Sequence, residues 1–462
     1  MGAGSCLSSS SEVSAEDRIS EVCEEGSSER LQDAVRILIQ GLGEDVKREG
    51  LRDTPKRVAK AWLDASAGYH QSVKSVLGGA LFHEPLVDTG CGGVVIVRDI
   101  EFASTSETNL LPFYGRCHIG YVPSQGVVLG LSKVARLARM YARRLQTQER
   151  FTQELLQAFE AHVHPQGCAV LVEARHLSQG PTLPVHASSA ASGCLRQDWR
   201  MQEFLTLLRL HAPAAPLPSA DCTRSGIALQ AVAGNGCESA VEHMARDAAA
   251  VCPSGLDGLG LPAQEHMERA VEAILCEIGE DPLRPGLLGS ATRYVRALLA
   301  STTGYKHRAV AAEPRALPGI RDRVAFACMP STHGVVRLAS LQFASQCEHH
   351  MLPFFGEARV LFVTEPSAAP LAPGVLEALL GSFSRRLQIQ ERLTQELVSA
   401  VHTVNGAVAT LVVCEAVHMC MVARGVEKHA SSTVTCAARG ACKADGELRT
   451  ELLKILNSAS FH

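Results

Sequence analysis

The chain has 462 residues, 46% of them hydrophobic and 20% charged, enough for two or three domains each with its own core. A formal net charge of −4 gives no general attraction to nucleic acid or to an anionic membrane, and no apolar run approaches the ~18 residues of a membrane span. Sixteen cysteines without an apolar leader are expected to be reduced thiols in the cytoplasm, most of them small buried side chains.

In chain order, residues 1–26 read as a flexible polar tail. Gly2 opens a partial myristoylation pattern, but Cys6 stands where Ser or Thr is wanted. Helical spacing is expected at 30–40 and 55–65, and β-rich segments at 93–98 and 116–122. An antiparallel helix pair follows at 132–144 and 150–162, then a strand at 168–174 and a closing helix at 198–210. Residues 211–262 are rich in Ala, Pro, Gly and Ser and read as a linker. The same order then recurs: helices at 264–277 and 290–300, a strand at 358–363, paired helices at 375–386 and 392–402, a strand at 407–417 and a helix at 446–457. The expected domains are therefore 27–210 and 263–462.

The recurrence is a duplication, since a long period with only two copies is not a solenoid. Residues 43–69 pair with 279–305 without a gap, which sets Arg57 and Lys60 opposite Arg293 and Arg296. Residues 102–115 pair with 343–356 in the frame Phe-Ala-Ser…Leu-Pro-Phe-x-Gly. Inside that frame, Cys347, His349 and His350 of the second copy are Ser106, Thr108 and Asn109 in the first. The losses run the other way at 130–136, Gly-Leu-Ser-Lys-Val-Ala-Arg. There Ser132, Lys133 and Arg136 fall opposite Gly374, Val375 and Ala378.

Cys347 and His350 are spaced so that a tight turn aims both at one point, and His418 and Cys420 lie two apart at a strand end. Two thiolates and an imidazole suit zinc, and three protein ligands leave a fourth position open, as catalytic sites do. His349 and His418 are then spare imidazoles for proton transfer. A structural site closed by His418 is the competing reading. At 130–136, Ser132 is the expected N-cap of a helix whose free N–H groups, with Lys133 and Arg136 three apart, suit a polyphosphate. A solvated helix start is the alternative. Gln390 and Glu391, or Gln148 and Glu149, join the paired helices, where a carboxylate can accept two N–H bonds from a guanine or pterin edge. Arg424 offers one more phosphate contact or is simply surface.

These segments resemble GTP cyclohydrolase I. The carriers are Ser-Gln-Cys-Glu-His-His-Met-Leu-Pro-Phe, Gly-Leu-Ser-Lys-Val-Ala-Arg, Arg-Arg-Leu-Gln-x-Gln-Glu-Arg and His-Met-Cys-Met-Val-Ala-Arg-Gly-Val. The tandem arrangement is similar to the plant-type enzyme. The resemblance implies an α+β architecture of two tunnelling-fold (T-fold) domains, each an antiparallel four-stranded sheet with two antiparallel helices, assembled into rings as a homo-oligomer. It implies Zn2+ on Cys347, His350 and Cys420, with His349 and His418 as catalytic histidines. It also implies triphosphate contacts from Ser132, Lys133 and Arg136 of a neighbour, and further basic groups at Arg57 and Lys60. The implied reaction starts from GTP. Water at the open metal position adds to C8 while His418 protonates N7. The imidazole ring opens, a second hydrolysis releases formate, and the ribose rearranges and recloses with His349 and Ser132 handling protons. The product is 7,8-dihydroneopterin triphosphate, the entry to folate and pterins. An inactive homologue that binds GTP or pterin is the alternative from another class. Reciprocal loss of whole residue sets argues against such decay.

Overall fold

The computed structural model describes residues 15–84, 93–177, 184–209, 261–305, 325–331, 334–367, 371, 373–424 and 431–458. The expected linker thus lies outside the described residues, except for 261–262, which open a helix. The first copy runs α1 (Ala15–Gly41), α2 (Thr54–Ser66), α3 (Val73–Leu77), β1 (Leu81–His83), β2 (Val95–Ser106), β3 (Pro112–Val122), β4 (Val127–Leu129), α4 (Leu131–Ala142), β5 (Leu145–Gln146), α5 (Gln148–Val163), β6 (Gly167–His176), β7 (Val185–Gly193) and α6 (Asp198–Arg209). The second runs α7 (Leu261–Glu277), α8 (Ser290–Ser301), β8 (Ala325–Ser331), β9 (Gly334–Cys347), β10 (Pro353–Thr364), α9 (Pro373–Ser384), β11 (Leu387–Gln388), α10 (Gln390–Asn405), β12 (Ala409–His418), α11 (Met419–Val422), β13 (Thr433–Gly440), α12 (Ala441–Ala444) and α13 (Gly446–Ser458). None of the described helices is long and apolar enough to cross a membrane. Helix α1 starts at Ala15, so part of the segment expected as a flexible tail is helical.

The sheets have the orders β5-β2-β3-β6-β7 and β11-β9-β10-β12-β13, with β8 beside β9. In each, four long antiparallel strands are joined by one short parallel strand. This is the α+β, tandem T-fold arrangement that the resemblance implies. Each sheet is covered on both faces, which explains why β6 and β12 are almost continuously apolar. On one face Phe102, Phe113 and Ile119 pack with Val134, Leu137, Phe151 and Phe159 from α4 and α5. Phe343, Phe354 and Phe362 meet Leu376, Leu393 and Leu397 in the same way. The other face is closed by Phe204 in the first copy and by Leu448, Leu452 and Leu456 in the second. The glycine that ends the shared frame is sterically required. A Cβ on Gly115 or Gly356 would lie 1.9 Å from the carbonyl oxygen of Glu173 or Glu415 on the adjacent strand.

The two copies are bound by exchanged helices. Helices α1 and α7 pack together through Leu31, Val35, Leu38 and Ile39 against Met267, Val271, Ile274 and Leu275, all essentially buried. Beyond them, each copy's second helix starts on the other copy's β-turn. The Thr54 hydroxyl donates to the carbonyl of Glu348 at 2.8 Å, and Ser290 donates to that of Glu107 at 2.5 Å. Arg48 reaches Glu348 at 2.9 Å, and Arg284 reaches Glu107 at 2.6 Å. The tyrosines of the two Gly-Tyr pairs complete the exchange: Tyr69 donates to Glu280, and Tyr305 donates to Glu44 at 2.5 Å.

Glu280 carries a pH prediction. Burial alone would raise its pKa, but hydrogen bonds from Arg284 and Tyr69 and the charge of Arg284 outweigh burial and lower it. A carboxylate lowered in the folded state contributes stability that is complete above the unfolded value of about 4.3, and that is lost as pH falls through the folded value. Glu280→Gln is therefore expected to be less stable than the parent chain in urea at pH 7, with the gap closing below pH ~4. Gly356→Ala is expected to lose about 2–3 kcal/mol in the same measurement, because the strand must move to admit the methyl group.

Candidate metal and phosphate sites

Cys347 ends β9 and opens a tight turn. The N–H of Met351 returns to the Cys347 carbonyl at 2.8 Å, and the Cys347 N–H donates to Leu352 at 2.9 Å. Met351 sits at φ +51° and its counterpart Leu110 at φ +58°, so the turn keeps its shape in the copy that lost the ligands. Cys420 lies in α11, directly after β12. The Sγ atoms of Cys347 and Cys420 are 3.9 Å apart, and with a ring nitrogen of His350 the three ligand atoms lie within 4.8 Å of one another. His350 Nδ1 is buried and has no hydrogen-bond partner among the described residues. An orphaned buried nitrogen is costly unless something else takes its lone pair. Two soft sulfurs and a ring nitrogen of His350 at one point fit a thiophilic divalent ion. The Cys420 thiol, donating to Cys347, pulls Cys347 well below the ordinary thiol range. Burial opposes this, and the imidazoles of His349, His350 and His418 add to it.

The two remaining histidines are held differently. His418 stacks on Phe354, with centroids 4.6 Å apart and planes 3° from parallel. Its Nε2 lies 2.8 Å from Gln390 Oε1. The Gln390 amide nitrogen already donates to the carbonyls of Cys414 and Thr433, so its oxygen is an acceptor and His418 Nε2 carries the proton. Gln390, 2% exposed, thus orients His418 from a buried position. The same device survives in the first copy, where His176 Nε2 meets Gln148 Oε1 at 2.9 Å and the ring stacks on Phe113. The pKa of His349 is raised, chiefly by its hydrogen bond to Cys347, with burial and the Arg57 charge opposing. Arg57 of the first copy therefore lies close to the metal turn of the second. Lys60 is exposed one turn further along α2, and Glu391 and Glu149 are exposed at the starts of α10 and α5. Arg424 donates to the Cys420 carbonyl at 2.5 Å.

Helix α4 corrects one expectation. Its N-cap is Gly130, whose N–H donates to Ala80 at 3.0 Å, so Ser132 is the second helical residue and not the cap. The β1–β4 pairing fixes the chain up to Gly130 and leaves no room for a later start. Lys133 donates to the carbonyl of Val76 at 2.9 Å. Lys133 and Arg136 line a groove with Gln71, Ser75, Val76, Arg139, Met140 and Arg143, all from the first copy. No described residue of the metal turn lines it.

Fold and cluster together define a tandem T-fold protein with one thiolate–imidazole site among the described residues. A family model described as GTP cyclohydrolase I matches residues 31–202 and 267–457. Relatives named GTP cyclohydrolase 1 include one from Solanum lycopersicum, 34% identical over 92% of this chain and 91% of its own length. One from Arabidopsis thaliana is 33% identical over 93% and 91%. One from Methylococcus capsulatus is 55% identical over 30% of this chain and 72% of its own. The chain belongs to the GTP cyclohydrolase I family, in its tandem two-domain form, and is a hydrolase of that family.

Cysteine and histidine spacing had picked out the cluster. Such spacing misses Glu348 in the turn itself and Arg48, Thr54 and Arg392 around it. Their signal was present: Glu107 and Glu348, and Arg150 and Arg392, are identical between copies although the ligands beside them differ. Cys347→Ser is expected to abolish stoichiometric metal uptake, measured by elemental analysis. Gln390→Leu is expected to keep the metal but lower turnover about 10- to 100-fold, because His418 loses its fixed tautomer.

Proposed function

We propose that the chain is a zinc-dependent GTP cyclohydrolase I that hydrolyses GTP to 7,8-dihydroneopterin triphosphate and formate, at the entry to folate and pterin synthesis. The observation that carries this reading is the convergence of Cys347, His350 and Cys420 beside two further histidines. Zinc held by those three ligands would supply the Lewis acidity that makes water reactive near neutral pH. His418, with Nε2–H fixed by Gln390, moves a proton at the purine ring as it opens. His349, beside Cys347, handles a proton during ring reclosure, with Ser132 as its partner on the ribose side. Glu391, or Glu149 in the other copy, accepts the N–H groups of the base. Arg57, Lys60 and Arg424 join Lys133 and Arg136 in holding the triphosphate, whose binding energy orients the base over the metal.

We further propose that the site is completed between chains. The groove at Lys133 and Arg136 is lined by the first copy alone, whereas the metal turn is covered within its own chain by α2. A homo-oligomer that brings one chain's α4 to another chain's metal turn reconciles these two facts. Neither nucleic acid nor membrane is a partner in this reading, and the cytoplasm is its compartment.

Lys133→Ala is expected to keep its zinc while the KM for GTP rises about 10- to 100-fold, as loss of a charge-assisted contact implies. The check is formate release against GTP concentration, with zinc content measured on the same sample. A parent chain that binds GTP and zinc yet releases no formate would instead favour an inactive regulatory homologue.

A further inference from the structure

The residue between the first metal-type ligand and the first spare histidine is Glu348, and every polar group it has is committed. Its N–H donates to Gln388 at 3.0 Å. Its carbonyl accepts from Thr54 at 2.8 Å. Its carboxylate, 2% exposed, is gripped by Arg392 at 2.9 and 3.0 Å and by Arg48 at 2.9 Å. Two of these partners, Arg48 and Thr54, belong to the first copy, which has no metal-type ligand set of its own. Thr54 is itself fully buried.

We infer that Arg48 and Thr54 are positioning residues for the metal turn, so that metal retention by Cys347, His350 and Cys420 depends on the docked first copy. This rests on the reading of that cluster as the metal site. The physical reason is local. The peptide of Glu348 joins directly to Cys347 and His349, so its rotation swings both, and His350 follows. With Thr54 and Arg48 bonded the peptide cannot turn. Without them a buried carbonyl and one side of a buried carboxylate lose their partners, and the turn relaxes to satisfy them. Partners that orient metal ligands typically contribute 10- to 100-fold to metal affinity.

The duplication supplies its own control. Arg284 and Ser290 make the same bonds to Glu107, which Arg150 also grips at 2.7 Å, but the turn at Glu107 carries Ser106, Thr108 and Asn109. Removing either arginine breaks an equivalent inter-copy contact, and only one of the two contacts reaches metal ligands.

The test uses the full chain loaded with zinc, with apparent zinc affinity read by titration against a chelator and stability read in urea. Arg48→Met is expected to weaken zinc about 10- to 100-fold. Arg284→Met is expected to hold zinc like the parent chain while losing comparable stability. Arg48→Lys is expected to restore part of the affinity. Should Arg48→Met fail to fold, Thr54→Val against Ser290→Ala makes the same comparison without disturbing charge. Equal zinc affinity in the two members of a pair overturns the inference, whether both weaken or neither does. A parent chain that takes up no stoichiometric zinc overturns the underlying metal reading instead, and the two failures are therefore distinguishable.

Discussion

Everything else in this chain hangs on the exchange of helical segments between its two copies. Arg48 and Thr54 of one copy grip Glu348 of the other, while Arg284 and Ser290 grip Glu107 in return. A carboxylate this deeply enclosed is tolerated only when its charge is matched and its oxygens are bonded, and two arginines on each glutamate meet that demand. The exchange makes the chain an internal dimer with an approximate twofold axis. It also explains why the two turns have kept one backbone shape, down to the left-handed residues Leu110 and Met351, after their chemistry diverged.

That constraint separates what could be lost from what could not. Ser106, Thr108 and Asn109 replace metal-type side chains, yet Glu107 between them is unchanged, because it holds the other copy's arginine. Gly115 and Gly356 persist because a neighbouring carbonyl occupies the space of a side chain. Ser132, Lys133 and Arg136 stand outside that exchange, Lys133 bonding to the Val76 carbonyl of its own copy, and Gly374, Val375 and Ala378 take their places in the second copy. Under the proposed function, each copy has kept its scaffold and discarded functional groups that the other copy still provides.

Much of this was legible in the amino-acid order. The duplication follows from the residue-by-residue match of 43–69 with 279–305 and 102–115 with 343–356, the paired helices follow from their spacing, and Cys347, His350 and Cys420 were identifiable from ligand type and spacing. What could not be read depended on geometry across long sequence distances. The grip of Arg48 on Glu348 joins residues 300 positions apart and leaves no periodic trace. Gln390, which pattern alone placed at the substrate, is drawn inside by the carbonyls of Cys414 and Thr433. The start of α4 moved two residues because the β1–β4 pairing, invisible in so short a segment, fixes Gly130. Nothing in the first 26 residues marks where α1 begins, since that stretch has little apolar spacing.

The central claim is that metal chemistry and phosphate binding reside in different copies and meet between chains. Its most direct test is complementation. Cys347→Ser and Lys133→Ala chains are produced together so that they assemble into mixed oligomers, and formate release from GTP is compared with that of each variant alone. Sites pairing the intact metal turn of one chain with the intact α4 of another should restore turnover that neither variant shows at the same GTP concentration. Mixed oligomers no more active than the sum of the separate variants would contradict the account and place both halves of the site within a single chain.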